Sequence, residues 1–394
     1  MKIAIIGCGI AGLAVANFLA RDDNSVTIFE QFEKQRPVGS GLVIQPVGLR
    51  ILEKLSAASD ALEKGAPGYT MLGIETEHKR KILDVSYGPK GGANFGLGIH
   101  RASLFDALLK ACARYEIHIV PSHHLTESHI KDQYRYLTFS NGKTKGPYDL
   151  VIDTSGANSI ISPLKARILP YGALWGTVDW AANTPLKYNR LEQRYRQARN
   201  MVGILPIGCL PDDNTRKATL FWSLSAQDHD KWVNTPLEAW KDQVLGMWPE
   251  IQPFLDQIEK HDDMTMARYS HGTLYKPYSE RLVHIGDAAH RASPQLGQGA
   301  NMALLDAYAL AQCIKHYPLD QALKTYVKSR KLHTLLYQSM SWAFTPMYQS
   351  NSRVLPLLRD RVFAPISTIP PVQKLLTSLV KGTLIPPYTL ANEG

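Results

Sequence analysis

Residues 2–30 read as one strand–turn–helix–strand unit, and few local patterns restrict a fold as tightly. Lys2-Ile3-Ala4-Ile5-Ile6 is an apolar run suited to a buried parallel strand. It enters Gly7-Cys8-Gly9-Ile10-Ala11-Gly12, a full G-x-G-x-x-G, and then a helical pattern through Leu13, Val15, Ala16, Phe18 and Leu19. A second strand, Ser25–Phe29, ends on Glu30, eighteen residues after Gly12. Gly7 allows the tight turn, Gly9 lets the backbone approach a pyrophosphate, and Gly12 lets helix and strand pack closely. Ile10 and Ala11 open the helix, whose unpaired N–H groups and partial positive charge suit phosphates. Glu30 stands where a carboxylate accepts hydrogen bonds from a ribose diol. The unit predicts a dinucleotide site and leaves open which dinucleotide it holds.

The 394-residue chain has room for two domains, or for one large domain with insertions. Its apolar N-terminus is not read as a signal peptide. Three glycines with a better use interrupt it, and Arg21-Asp22-Asp23 follows without a cleavage-like site. No run approaches the length of a membrane span. Cys8, Cys112, Cys209 and Cys313 have no metal-like spacing, and three of them fall in predicted strands or helices. They read as reduced packing residues of a cytoplasmic protein, with no metal expected. The net charge of +9 gathers at Lys79-Arg80-Lys81 and from Lys187 and Arg190 through Arg194, Arg196 and Arg199. No nucleic-acid motif accompanies it, so nucleic acid is not an expected partner. A solvated face is the favoured reading. Attraction for a phosphorylated cofactor, or peripheral contact with an anionic membrane, is the alternative.

Element patterns alternate along the chain. A helix is expected around Leu49–Leu55, then strands at Met71–Thr76, Ile82–Val85 and Gly88–Gly98. Helical spacing returns at Leu104, Leu108, Ala111, Cys112 and Tyr115, opened by Ser103-x-x-Asp106, which resembles a capping box. Strand Ile117–Val120, a hairpin at Asn141-Gly142 and a buried strand at Tyr148–Asp153 follow. Residues 165–275 carry longer aromatic-rich strands and one helix at Leu237–Trp248. In the last fifty residues, proline-broken helices end in a stripe of Val372, Leu375, Leu376, Leu379 and Val380, with Gly382 a C-cap. That stripe reads as core packing, with a membrane anchor as the lesser reading. The expected fold is α/β. Segments 1–70, 99–165 and 276–345 form a Rossmann-type domain, 71–98 and 166–275 an inserted, mainly antiparallel β-sheet substrate domain, and 346–394 C-terminal helices. A substrate pocket is expected between the domains.

A second block bears on the dinucleotide. Arg281–Gly286 reads as a short buried strand, followed by Asp287-Ala288-Ala289-His290 and the loop Pro294-Gln295-Leu296-Gly297-Gln298-Gly299-Ala300-Asn301. The acid is suited to a sugar-like hydroxyl, and the N–H groups of Gly299–Asn301 start a helix with a positive end. An NAD-dependent dehydrogenase has no need of an anchor this far from the first. A cofactor with adenine at one end and a ribityl-flavin at the other does.

Taken together, Gly7–Gly12 with Glu30, His100-Arg101-Ala102-Ser103-Leu104, and Gly286–His290 with Gly297–Asn301 resemble the FAD-dependent aromatic hydroxylases, the para-hydroxybenzoate hydroxylase-like monooxygenases. The resemblance implies FAD, with Glu30 on the adenosine ribose, Arg101 at the pyrophosphate and ribityl region, and Asp287 on the ribityl hydroxyls. It places Pro294 and the N–H groups of Gly299, Ala300 and Asn301 beside the flavin pyrimidine ring. Leu125 matches a position whose backbone touches adenine, and the stretch Gly39–Pro46 puts Gln45 beside the ring. NAD(P)H is the implied transient electron donor. O2 and a small aromatic or apolar substrate are the implied co-substrates, with oxygen transferred through a flavin C4a-hydroperoxide.

One departure stands out. In Asp153-Thr154-Ser155-Gly156-Ala157-Asn158-Ser159, Ser155 replaces an acid of the family's pattern and Asp153 replaces a glycine. Hydride supply is the function this touches. A flavin reductase or dehydrogenase of the same fold, or a low-turnover flavin-binding sensor or partner protein, are the rival readings; the absence of Trp-x-Trp-x-Ile argues against a halogenase. Tyr171, Trp175, Met201, Phe221 and Trp222 are candidates for the substrate pocket, with Trp175, Met201 and Phe221 the expected lining. His290 reads as a structural histidine, and no catalytic base is identified.

Overall fold

A computed structural model describes residues 1–34, 40–88, 92 and 94–389. Gly39, residues 89–91 and 93 of the expected Gly88–Gly98 strand, and residues 390–394 lie outside this set.

The opening unit folds as read. Strand Lys2–Ile6 leads through Gly7–Gly9 into helix Ile10–Arg21 and returns as strand Ser25–Phe29. Lys2–Ile6 pairs in parallel with Ser25–Phe29 on one side and Leu150–Asp153 on the other. Ile117–Val120 and Leu282–His284 extend this parallel sheet, and the short antiparallel strand Tyr278–Ser279 ends it, giving six strands. Ile3, Ile5, Leu150 and Ile152 have no solvent exposure, as expected of strands covered on both faces. Helices Ile10–Arg21 and Gly299–His316 pack against each other over this sheet, with Phe18 and Tyr308 edge to face at 5.3 Å. A three-stranded antiparallel unit, Leu125–Lys131, Tyr134–Phe139 and Thr144–Tyr148, carries the Asn141-Gly142 turn.

The second large sheet has eight strands. Its order is His290–Arg291, Thr265–Thr273, Arg167–Asp179, Lys217–Ser225, Asn200–Gly208, Arg190–Arg196, Thr70–Glu75, Lys81–Ser86. Pairing is antiparallel except between Arg190–Arg196 and Thr70–Glu75. Side chains alternate across it, and alternation sorts the aromatics. Trp222 joins Trp240 and Trp248 in the core under helix Leu237–Leu245, while its neighbour Phe221 turns the other way with Met201 and Tyr195.

Two sequence expectations need correction. The helix after strand Gly96–His100 starts at Arg101, not at Ser103. The cap is His100, whose Nδ1 accepts from the Ala102 N–H at 3.1 Å, because the strand runs straight into the helix. Ser103 is therefore inside the first turn, and its hydroxyl donates to the Cys209 carbonyl at 2.6 Å. Two cysteines rather than three lie in regular elements, Cys8 being in the glycine turn and Cys209 just past strand Asn200–Gly208; all four are free.

Helix Leu319–Tyr348 crosses the parallel-sheet unit and receives the last helix, Pro370–Lys381, which ends on Gly382 at φ +82°. Leu379 is buried and Val372, Leu376 and Val380 are half-buried, so most of the apolar stripe packs inward, while Leu375 of the same stripe is 48% exposed. Three bonds clasp this end. The Tyr337 hydroxyl donates to the Leu379 carbonyl at 2.7 Å, Gln298 Nε2 donates to Val380 O at 2.9 Å, and His333 Nε2 donates to Gly382 O at 3.1 Å. Among the described residues no helix is long and apolar enough to cross a membrane.

Burial, with the Arg330 guanidinium alongside, holds the His333 imidazole down at about 3. The unfolded chain binds that proton near pH 6.5, roughly its ordinary value. Between those limits the unfolded state carries the extra proton, so stability falls as pH falls. Thermal melts should show Tm dropping between about pH 7 and about pH 4, and dropping less in His333→Gln, which keeps a donor and cannot titrate. Equal slopes would mean that His333 does not set this pH dependence.

Candidate functional site

One cavity of about 1780 Å³ runs from the glycine turn of the parallel sheet to the inner face of the eight-stranded sheet. A single drug-sized pocket spans roughly 300–1,000 Å³, so this volume suits an extended ligand and a second small one together.

Two helices begin at its wall without side-chain caps. Gly9, with no side chain to offer, precedes helix Ile10–Arg21; Gln298 precedes helix Gly299–His316, and its side chain does not bond the first N–H groups. Such ends attract anions and electron-rich atoms. The glycines differ by role. A Cβ on Gly9 or Gly299 would meet no protein atom within 4 Å, so both present bare backbone to open space. A Cβ on Gly12 would stand 2.0 Å from the Gly7 carbonyl oxygen and 2.9 Å from Thr154 Oγ1. Gly7 itself takes φ +101° to make the turn.

Glu30 ends its strand in the cavity wall, 8% exposed. Its Oε2 accepts the Cys8 N–H at 2.8 Å and Oε1 the Phe32 N–H at 3.1 Å, which orients the carboxylate and leaves acceptor capacity unused. Leu125 and His123 lie in the same part of the wall. His123 Nδ1 bonds the Pro121 carbonyl at 2.6 Å, leaving Nε2 buried and without a partner among the described residues. Arg101 and Asp287 are exposed and line the same cavity.

The Asp287 loop is held from beneath. Asp306 Oδ2 accepts the Gly286 N–H at 3.1 Å and His290 Nε2 at 2.6 Å, while Arg330 Nε donates to Oδ1 at 2.8 Å. Burial alone would raise the Asp306 carboxyl, but His290 and Arg330 outweigh it and hold it well below the usual carboxylate range. His290 is thus a structural residue, as its position in the motif suggested.

Asn301 is fully buried and acts through its side chain as a tie. Its Oδ1 accepts the Gln45 N–H at 2.8 Å, and its Nδ2 donates to Gly297 O at 2.9 Å and Val43 O at 3.2 Å. The tie brings Gln45, between strand Gly41–Ile44 and helix Pro46–Lys54, against the loop Pro294–Gly297. Gln45 Oε1 accepts from the Tyr87 hydroxyl at 2.5 Å, and its Nε2 is buried with no partner among the described residues. An orphan amide of this kind costs free energy unless a ligand answers it. Pro294, Gly299 and Ala300 lie in the wall beside it.

At the far end Trp175, Met201 and Phe221 lie together in the wall, the Trp175 and Phe221 rings stacked at 4.8 Å. Trp175 Nε1 donates to the Tyr269 hydroxyl at 2.8 Å. Tyr171 and Trp222 do not reach it: Tyr171 bonds Asn351 Oδ1 at 2.7 Å, and Trp222 faces the opposite side of the sheet.

Two features escaped the sequence. Asp153 is fully buried and accepts from Ser155 Oγ at 2.5 Å, Ser159 Oγ at 2.6 Å and His284 Nδ1 at 2.7 Å. Burial opposes its charge, yet these bonds hold the carboxyl below its usual range. At the wall, therefore, Ser155 presents a hydroxyl already committed to an acid beneath it, and no carboxylate. The second is Arg359, 1% exposed, its guanidinium between the Tyr195 and Tyr348 rings at 5.2 and 5.3 Å. Nε pairs with Asp360 at 2.7 Å and Nη1 donates to Met347 O at 3.0 Å, but Nη2 is buried without a partner among the described residues. Only the fold brings Arg359 into the cavity wall.

Residues 1–336 match the model of the FAD-binding-domain family. The chain belongs to the FAD-dependent aromatic hydroxylases. This hydroxylase is 24% identical to 6-hydroxynicotinate 3-monooxygenase of Pseudomonas fluorescens, over 80% of this chain and 82% of that one. It is also 24% identical to hispidin-3-hydroxylase of Neonothopanus nambi, over 92% and 93% of the two chains. Among solved structures, an HpxO variant of Klebsiella pneumoniae complexed with FAD aligns with a TM-score of 0.82 at 16% identity, covering 98% of this chain and 100% of that one. PqsL of P. aeruginosa in complex with 2-aminobenzoylacetate aligns with a TM-score of 0.77 at 18% identity, covering 88% and 96%. The hydroxylase is an FAD-dependent monooxygenase of mixed α/β fold.

The two glycine roles separate by experiment. Gly12→Ala should lower stability by about 1–3 kcal/mol or more, because the clash is with backbone. Gly9→Ala should leave apoprotein stability within about 0.5 kcal/mol and weaken FAD binding at least about tenfold. Chemical denaturation and flavin titration read both; equal FAD affinity in Gly9→Ala would mean that the cofactor does not approach this turn.

Proposed function

We propose that the hydroxylase uses NAD(P)H and O2 to oxygenate a small aromatic or fused-ring substrate held against Trp175, Met201 and Phe221. The observation that carries this reading is the meeting of two uncapped helix N-termini and the orphan Gln45 amide with an aromatic-lined chamber in one cavity.

The residues fit FAD. Glu30 would hold the adenosine ribose, with Leu125 and the acceptor nitrogen of His123 beside adenine. The N–H groups after Gly7 and Gly9, at Ile10 and Ala11, with Arg101, would take the pyrophosphate, Gly12 keeping the helix close. Asp287 would hold the ribityl hydroxyls. Pro294, the N–H groups of Gly299, Ala300 and Asn301, and Gln45 Nε2 would face the flavin ring. When bound, FAD supplies acceptance of a hydride and activation of O2.

The chain contributes position, charge and dryness. The free N–H groups at Gly299–Asn301 favour negative charge placed over them. Trp175, Met201 and Phe221 exclude water from the substrate chamber. Arg359 Nη2 offers a donor to an acceptor oxygen on the ring, and its pairing with Asp360 keeps the local charge balanced. The Ser155 hydroxyl leaves the NAD(P)H approach without the acid of the family's pattern, so we assign slower hydride delivery to this chain. Four free cysteines suit a reducing cytoplasm.

Purified, FAD-loaded protein should oxidise NADH or NADPH faster with a matching aromatic present, and mass spectrometry should find that aromatic one oxygen atom heavier. If reduced flavin stays bound and no candidate is oxygenated, the reading is wrong. Asp287→Ala should lose most of its flavin, and full occupancy would count against the assigned ribityl contact.

A further inference from the structure

We propose that the C-terminal face formed by residues 354–375 docks on an anionic lipid surface, so that the substrate chamber opens toward the bilayer. This goes beyond the reaction proposed above, since that reaction does not require a membrane.

From Val354 to Ser367 the chain is continuously helical, with a π turn at Arg359–Phe363 between two short α segments. Pro356, Arg359 and Ala364 face inward and are buried. The outward side is apolar. Val354, Leu357, Leu358, Val362, Ile366 and Ile369 are 41–63% exposed, in a stretch of sixteen residues. Scattered exposed apolar residues need no explanation, but a concentration like this marks an interaction surface.

The charges say what it fits. Between residues 351 and 389 the sole acid is Asp360, and it is paired with Arg359 at 2.7 Å. Arg353, Arg361 and Lys374 are exposed around the apolar side chains. The adjoining strand Lys81–Ser86 adds one exposed acid, Asp84, and it is paired with Lys81 at 3.3 Å. An apolar face rimmed by cations, its acids paired, complements anionic headgroups over an acyl layer. A second copy of the chain is a poorer occupant. A two-fold contact presents the same patch on both partners, setting one net basic rim against another. The chain's net charge of +9 acts in the same direction.

The patch is also joined to the chamber. Phe363, Ile366 and Leu375 are exposed on it and at the same time form part of the cavity wall. An apolar aromatic dissolved in the bilayer would meet the mouth without crossing water. The surface lies on the membrane rather than across it, since no described helix is long enough to span one.

The test uses the FAD-loaded full-length chain and sedimentation with vesicles. Vesicles containing phosphatidylglycerol should bind it at least about tenfold more tightly than pure phosphatidylcholine, and added salt should weaken the binding. Val354→Asp with Leu357→Asp, at exposed positions outside the cavity wall, should lose at least tenfold in vesicle binding with flavin content and Tm retained. Arg361→Glu with Lys374→Glu should do the same and abolish the preference for phosphatidylglycerol. Failure of the wild type to bind phosphatidylglycerol vesicles, or unchanged binding in both double variants, overturns the proposal. So does a wild-type dimer in gel filtration that Val354→Asp with Leu357→Asp converts to a monomer, since the face is then a self-interface. Vesicle binding is read without turnover, so its failure leaves the monooxygenase reading standing, and the converse holds.

Discussion

Two helix N-termini open on one cavity, and the protein itself supplies no side chain to cap either. Most proteins satisfy such N–H groups with Ser, Thr, Asp or Asn at the cap position. Here the cap positions are Gly9 and Gln298, and the space in front of them is open. The rest of the structure serves to hold these ends in place. The contact between Gly12 and the Gly7 carbonyl seats the first helix on its strand. The Asn301 ties to Gln45, Val43 and Gly297, and the Asp306 cluster under the Asp287 loop, seat the second. Bound FAD would answer the unsatisfied donors and would thereby couple cofactor binding to local order.

Alternation across the eight-stranded sheet then separates core from chamber. Trp222 and Phe221 are adjacent in sequence and lie on opposite faces, one beneath the helix Leu237–Leu245 and the other in the cavity wall. The long C-terminal helix closes the assembly, and Gln298 ties the loop Pro294–Asn301 to Val380. Motion of the last helix would therefore be felt at the cavity wall beside Pro294 and Gly297.

Legibility in the sequence followed the range of the interactions. The Gly7–Gly12 unit was readable because its strand, turn and helix are contiguous and each glycine has a local job. Gly382 was readable as a C-cap for the same reason. The Ser103 box misled because a capping pattern cannot show where the preceding strand stops; His100 took the cap instead. Period-two spacing did not say which of Phe221 and Trp222 faces inward until the neighbouring strands set the register. Asp153 and His284 are 131 residues apart, and only the parallel pairing of their strands brings them to 2.7 Å. Arg359 was invisible for a similar reason, since its place beside Tyr195 depends on a C-terminal segment folding back over the sheet. The orphan nitrogens of Gln45 and His123 are absences of partners, which no sequence pattern records.

The central claim is that Glu30, Asp287 and the two uncapped helices form a single FAD cradle. A crystal structure of the FAD-loaded protein tests it most directly. The adenosine ribose should lie on Glu30, the ribityl chain at Asp287, and the flavin pyrimidine edge over the N–H groups of Gly299–Asn301 with Gln45 Nε2 donating to it. FAD bound with its flavin away from Gly299–Asn301, or with Asp287 and Glu30 both free of it, would contradict that claim.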